Sequence, residues 1–157
     1  KSERGVDYTK LRDLLAEGEW RKADEETGEV MCQAAGRERE GWMDVESTDN
    51  FPCEDLRTIN QLWLHYSKSK FGFSVQKEIY ESLGGTRDYN EEVWDKFGTR
   101  VGWRKRGNWV CRSPYLIFNL ELAPPGHLPC FIGENGVFSS PDERPVYLLS
   151  RVKTCDL

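Results

Sequence analysis

Helical spacing governs the first 98 residues of this chain, and glycines punctuate it. Leu11, Leu14 and Leu15 recur at helical intervals, and Gly18 comes next as a stop. Trp20, Ala23, Thr27, Val30, Met31 and Ala34 carry the stripe on to Gly36, so the spacing predicts an αα-hairpin hinged at Gly18. The pair resembles one tetratricopeptide-type unit, with no repeat of it downstream. Pro52 precedes another helix, whose first turn holds Glu54 and Asp55, where the macrodipole favours acids. Its apolar face is Leu56, Ile59, Leu62, Trp63 and Tyr66. After a polar break at 67–70, Phe71-Gly72-Phe73 leads to Ser74, a predicted N-cap. Val75, Ile79 and Leu83 then recur every four residues until Gly84-Gly85. Asn90 is predicted to cap a short helix through Val93, Trp94 and Phe97, closed by Gly98. Apolar stripes of this kind mean helices packed on a core.

Beyond Gly98 the period fades. Val101, Trp103, Trp109 and Val110 flank Gly107-Asn108, which reads as a turn. Residues 115–122 are apolar and ambiguous between strand and helix. Ala123 to Pro129 contains three prolines and cannot be helix interior. Beyond Pro129 the chain reads as a polar tail with one late apolar patch, Val146, Tyr147, Leu148 and Leu149. That patch either docks back on the body or awaits a partner. A length of 157 residues suits one domain with a sizeable core. No run approaches the roughly 20 apolar residues of a membrane span. The five cysteines, Cys32, Cys53, Cys111, Cys130 and Cys155, are odd in number and lack C-x-x-C, so neither a disulfide framework nor a zinc ribbon is implied. A reducing compartment is the expectation. The chain opens Lys-Ser rather than Met and reads as a trimmed form, so a missing targeting peptide is uninformative.

Catalytic motifs are lacking: no G-x-x-x-x-G-K-[ST], no G-x-G-x-x-G and no G-x-S-x-G. Of two histidines, His65 is expected on a helix in a partly buried or surface role. His127, in the proline loop, is expected to make an ordering hydrogen bond rather than bind a ligand directly. Asp24-Glu25-Glu26, Glu54-Asp55 and Glu91-Glu92 read as solvated faces or helix-start charges. Cys111, beside Arg112 and near Lys105, has the most electropositive surroundings but no base to activate it. No catalytic residue is therefore expected.

The functional signal lies in 100–120. Arg100, Arg104, Lys105, Arg106 and Arg112 occur there without an acid, interleaved with Trp103, Trp109, Tyr115 and Phe118, on a chain of net charge -5. Single-stranded nucleic acid fits cations and aromatic faces, and so does an acidic membrane surface. So does a planar cofactor with peripheral carboxylates, each able to take a charge-assisted bond from a guanidinium. The overall acidity counts against nucleic acid. Leu116, Ile117, Phe118, Leu120 and Leu122 suit a greasy pocket or plain core. The competing views are a cationic turn beside core tryptophans and a helical protein–protein adaptor without a tetrapyrrole ligand.

Ordered blocks add a resemblance. Leu11-Arg12-Asp13-Leu14-Leu15 with Trp20, Ala23-Asp24 and Gly41-Trp42 forms the first. The run from Phe51-Pro52-Cys53-Glu54-Asp55 to Leu62-Trp63 is the most characteristic. Phe71 to Gln76, then Val101-Gly102-Trp103-Arg104 with Trp109, then Gly126-His127-Leu128-Pro129 complete the set. Together these blocks resemble the genomes-uncoupled-four family over residues 8–131. The resemblance implies an all-α fold, a compact, single-domain helical bundle with a cupped apolar palm formed by helices and long loops. It implies a porphyrin-binding domain at 1–131 and an irregular C-terminal extension at 132–157. It also implies binding of protoporphyrin IX and magnesium-protoporphyrin IX, and activation of magnesium chelatase in chlorophyll biosynthesis through the large porphyrin-binding subunit. The same resemblance implies a role in plastid-to-nucleus signalling and a place in the chloroplast stroma, partly membrane-associated. A monomer that breaks no bond is expected.

Carried onto this sequence, the palm would use Phe73, Val75, Trp103, Phe118, Leu120 and Leu128. Charge and position add Arg104, Lys105 and Arg112 for the propionates. His127 is the one candidate axial ligand, although magnesium's preference for oxygen favours a water. Pro124-Pro125 is expected to stiffen the loop. The extension from Ile132 to Leu157 points to an algal or plant plastid member. Its Ser139 and Ser140 are phosphorylation candidates or ordinary linker serines.

Overall fold

The chain's first helices form where the leucine and tryptophan spacing places them. The computed structural model describes residues 1–110, 116–130 and 144–157. Helix α1 (Thr9–Ala16) buries Leu11 and Leu15, and α2 (Trp20–Ala35) returns against it. Gly36 ends α2 at φ 69°, left-handed backbone that glycine adopts without a Cβ penalty. A five-residue helix that no periodicity signals, α3 (Val45–Asp49), is opened by a capping box between Asp44 and Ser47. Then come α4 (Cys53–Tyr66), α5 (Phe73–Ser82) and α6 (Glu91–Arg100). The strands β1 (Arg104–Lys105) and β2 (Asn108–Trp109) pair antiparallel around Arg106-Gly107, both at positive φ. Helix α7 (Arg144–Thr154) closes the described chain. The architecture is all-α with one minimal hairpin.

Several local expectations need correction. Helix α5 begins at Phe73 with Gly72 as N-cap, because Ser74 is engaged elsewhere: its backbone N–H donates to Asn60 Oδ1 at 3.0 Å. Its buried face is Phe73, Gln76 and Tyr80, while Val75, Ile79 and Leu83 are half-buried. Gly98 does not stop α6. A Cβ there would lie 2.4 Å from Trp109 Cη2, so the glycine admits the indole against the helix. The late apolar patch is not an irregular tail. It belongs to α7, whose Val146, Leu148, Leu149 and Val152 are buried in the common core, with α3 and α5 as neighbours.

The cysteine pattern also resolves differently. Cys53, the first residue of α4, and Cys155, just past α7, form a disulfide across 102 residues. Only the docking of α7 brings them together. Arg57 Nη2 donates to Cys155 O at 2.9 Å, Arg151 Nε to Phe51 O at 2.9 Å, and Lys77 Nζ to Leu157 O at 2.8 Å.

Nor are all the acids solvated. Asp24, Glu26 and Asp55 are buried. Asp55 accepts from Ser2 Oγ, from Glu3 N–H at 2.9 Å and from Tyr8 Oη at 2.7 Å, so residues 2–8 strap the start of α4. Burial, reinforced by the bond to Asp55, pushes the Tyr8 phenol well above its ordinary pKa. Glu26 pairs with Lys10 at 2.9 Å. Such acids are tolerated inside only because donors replace lost water.

Two aromatic clusters fill the interior. Trp20, Trp63 and Phe71 interlock in the first half, where Trp63 Nε1 donates to Thr27 Oγ1 at 3.0 Å. Tyr80, Trp94, Phe97, Trp103 and Trp109 form the second, between α5, α6 and the hairpin.

Candidate functional site

The proline-bearing loop is tied to the helical body by backbone and buried polar bonds. Gly126 N–H donates to Lys70 O at 2.9 Å, and Gly72 N–H to Leu128 O at 3.1 Å. From α5, Gln76 Nε2 donates to both Gly126 O at 3.0 Å and Pro129 O at 2.9 Å. Gln76 is buried, so its amide meets carbonyls that the turn leaves without a backbone partner. From α2, the buried Asp24 accepts Cys130 N–H at 2.5 Å. Gly126 sits at φ 77°, and a Cβ there would lie 3.0 Å from Ile79 Cδ1, so α5 and the loop approach at backbone range.

His127 is the pivot of this arrangement. Its side chain is fully buried. Nδ1 lies 2.7 Å from Val101 O and must donate, while Nε2 accepts Ile117 N–H at 3.0 Å. Its carbonyl accepts Trp103 Nε1–H at 2.7 Å. Both ring nitrogens are engaged in the neutral tautomer, leaving no lone pair for a magnesium ion. The expected ordering role is the one the geometry displays. Burial depresses the imidazole pKa; the Val101 bond opposes this, and Lys105 and Lys70 add to the depression. His127 thereby joins the end of α6 to the 116–120 stretch, which is neither strand nor helix.

That stretch carries the apolar candidates. Phe118 and Leu120 are half-buried. The Arg21 guanidinium lies 4.4 Å from the Phe118 ring centroid, a cation–π contact from α2. Lys70 Nζ donates to Leu120 O at 2.5 Å. Asn119 Oδ1 accepts Glu121 N–H at 2.9 Å and Leu122 N–H at 3.0 Å, and this turn leaves Leu122 74 % exposed. A large apolar side chain in water, next to half-buried apolar neighbours on a braced loop, invites a ligand or partner.

The predicted residues thus divide into two layers. Phe73, Trp103, His127 and Leu128 are buried and support the loop. Val75, Phe118 and Leu120 are half-buried above them. Arg104 is half-buried and pairs with Asp95 at 3.7 Å, while its Nε has no partner among the described residues. Lys105 is exposed on the hairpin. Arg112 lies outside the described residues, as do Cys111, Tyr115, Ser139 and Ser140. Sequence reasoning misses Arg21, Lys70 and Gln76 as site residues, and it names Leu122 only as greasy pocket or plain core. Nothing local marks the first three; the partners of Lys70 and Gln76 lie 50 or more residues away. The exposed Leu122 had a signal: it follows Asn119, a turn former, and precedes the prolines.

A groove of about 760 Å³ opens elsewhere, along α4 from Cys53 to Tyr66 beside Lys1 and Glu3, and none of these residues lines it. Among the described residues no helix is long and apolar enough to cross a membrane, and no cluster of three metal-ligating side chains occurs.

These features define an all-α protein whose second half presents an apolar, cation-flanked loop surface. A family profile described as GUN4-like matches residues 1–139, and the chain belongs to that family. It is 32 % identical over 139 residues to a Ycf53-like protein of Synechocystis, covering 87 % of this chain and 56 % of that protein. It is 30 % identical over 129 residues to a chloroplastic tetrapyrrole-binding protein of Arabidopsis thaliana, covering 76 % of this chain and 46 % of that one. The chain therefore spans about half the length of the curated relatives it matches. The structure of GUN4 from Chlamydomonas reinhardtii superposes with a TM-score of 0.73 at 30 % identity, covering 100 % of this chain and 94 % of that one.

Proposed function

We propose that this chain binds a tetrapyrrole, protoporphyrin IX or its magnesium complex, on the surface built by loop 116–130, α5 and the hairpin. The observation that carries this reading is the layered loop. Apolar side chains, from half-buried Phe118 and Leu120 to solvated Leu122, sit on a backbone fixed from beneath by Gln76 and His127. Val75, Phe118, Leu120 and Leu122 meet the macrocycle; Phe73, Trp103, His127 and Leu128 brace the surface. Apolar burial supplies most of the affinity, at roughly 25 cal/mol per Å² before association costs. Arg104, Lys105 and Arg112 meet the carboxylates. Arg104 is half-buried beside Asp95 at 3.7 Å, and the exposed part of its guanidinium can give a carboxylate a charge-assisted bond. The Arabidopsis relative, named as tetrapyrrole-binding and chloroplastic, supports the ligand class and a plastid location.

The chain itself breaks no bond. It shields the tetrapyrrole from water and hands it to the large porphyrin-binding subunit of magnesium chelatase. Differential affinity for substrate, product and subunit drives turnover and links the chain to chlorophyll biosynthesis and plastid-to-nucleus signalling. It works as a monomer that associates peripherally with membranes and binds no nucleic acid. The body at 1–131 carries the palm, and within the extension at 132–157 the described residues 144–157 buttress it through α7.

Titration with deuteroporphyrin tests the reading. Quenched tryptophan fluorescence with a shifted Soret band is the expected result, since Trp103 and Trp109 lie in the second aromatic cluster beside the loop. Unchanged spectra at micromolar porphyrin would remove the tetrapyrrole and leave the helical adaptor.

A further inference from the structure

The disulfide and the groove above α4 belong to no part of the proposed palm. Cys53 is half-buried and lines the groove together with Arg57, Thr58, Leu62 and Tyr66. Its partner Cys155 is buried on the far side of the bond. One residue of the cross-link therefore borders an open groove at the protein surface.

Two features beside the cross-link favour its reduced form, against the carboxylates of Glu3 and Glu54 that border the same groove. Cys53 is the first residue of α4, where the helix amino end stabilises a thiolate. Arg57, one turn further on, donates to the Cys155 carbonyl at 2.9 Å and sets a guanidinium beside the second sulfur's residue. Moreover, α7 has anchors besides the bond. Its core residues are buried, and Arg57, Lys77 and Arg151 still hold the 144–157 segment. The cross-link is thus a latch on a helix that already has a seat. Cys32 is a free, buried thiol, and burial pushes its pKa up, so it resists alkylation while the protein is folded.

We propose that the groove is a thiol–disulfide exchange site, at which a dithiol reductant opens Cys53–Cys155 in the folded protein. The first thiolate of the reductant attacks Cys53 Sγ, and Cys155 leaves as a thiolate that takes up a proton. The second thiol of the reductant then attacks the reductant's own sulfur in the mixed disulfide and expels Cys53. The dithiol ends as a disulfide, and the protein gains two thiols. Reduction loosens the end of α7. It also relaxes α5, which α7 covers and Lys77 ties to Leu157 O, and α5 carries Gln76 to the loop. The exchange chemistry holds whatever the loop binds.

The test is native-state reduction with dithiothreitol, quenched by alkylation and mapped by mass spectrometry. Cys53 and Cys155 should become labelled together while Cys32 stays protected. Amide exchange in 144–157 should then rise by about tenfold or more, reporting a lower local opening free energy. Cys155→Ser should show that faster exchange without reductant and no further response to it. Leu62→Trp, which fills the groove without touching the bond, should slow reduction. Labelling of Cys32 in step with the pair would mean that reduction requires global unfolding and would overturn the proposal. So would an unchanged reduction rate in Leu62→Trp, or Cys53 and Cys155 already alkylatable in air-oxidised protein.

Discussion

Gln76→Glu removes both donors that fix the proline loop while keeping the size of the side chain. In the native chain the Gln76 amide serves Gly126 O at 3.0 Å and Pro129 O at 2.9 Å, and the residue is 2 % exposed. An ionised carboxylate there faces two carbonyl oxygens. Each buried acceptor left unsatisfied costs about 1–3 kcal/mol, so the loss at pH 8 is about 3 kcal/mol or more. At roughly 2–4 °C per kcal/mol for a chain this long, the Tm falls by roughly 6–12 °C. The sign of the pH dependence is diagnostic. The new carboxyl has its pKa raised in the fold above the unfolded value of about 4.3. Its destabilisation therefore grows as pH rises through the folded pKa. Below that, the protonated acid donates to one carbonyl, and the deficit against the native chain shrinks to about 1–2 kcal/mol at pH 5. Urea unfolding of both chains between pH 5 and 8, followed by tryptophan fluorescence, measures the difference. A deficit under about 0.5 kcal/mol at pH 8, within the range of ordinary surface changes, would refute the claim that Gln76 anchors the loop. So would a deficit independent of pH.

His127 gives the native chain its own acid sensitivity. Its folded pKa is depressed by burial, so its contribution is complete above the ordinary histidine value of about 6.5 and declines as pH falls below it. A protonated Nε2 would also confront the Ile117 N–H, so amide exchange in 116–120 should quicken at pH 5.5 relative to 7.5, after correction for the intrinsic pH dependence of exchange; equal protection at both would contradict the neutral pivot. Gly98→Ala should expel the Trp109 ring from its seat on Trp94, costing about 1–3 kcal/mol and shifting tryptophan emission to the red. Arg104→Ala should weaken deuteroporphyrin more than its dimethyl ester, as read by fluorescence titration. Equal losses for acid and ester would remove Arg104 from the carboxylates.

Most of the helical body is legible in the sequence because its signals are local. The stripes of α1, α2 and α4, the left-handed Gly36, the Asn90 cap and the Gly107 turn all depend on residues within a few positions of one another. The features that escape depend on distant partners. Helix α7 reads as a tail because its apolar patch is short and its seat lies on α3 and α5. Cys53 and Cys155 lie 102 residues apart. Asp24 and Glu26 sit in an acidic run that looks solvated, and Asp55 reads only as a helix-start charge, yet the donors to all three come from remote segments. Gly98 resembles a stop until Trp109 is seen lying against it. The site is legible in the same uneven way. Ordered family blocks mark the stretch, and charge pattern marks Arg104 and Lys105. The division of the candidate residues into a buried set and a half-buried set requires the fold.

An exchange footprint of bound deuteroporphyrin tests the account most directly. Backbone amides in 116–130 and at the start of α5 should gain protection on binding, while the groove over α4 stays unchanged. Protection confined to the α4 groove, or none anywhere at saturating porphyrin, would contradict the assignment of the loop as the binding surface.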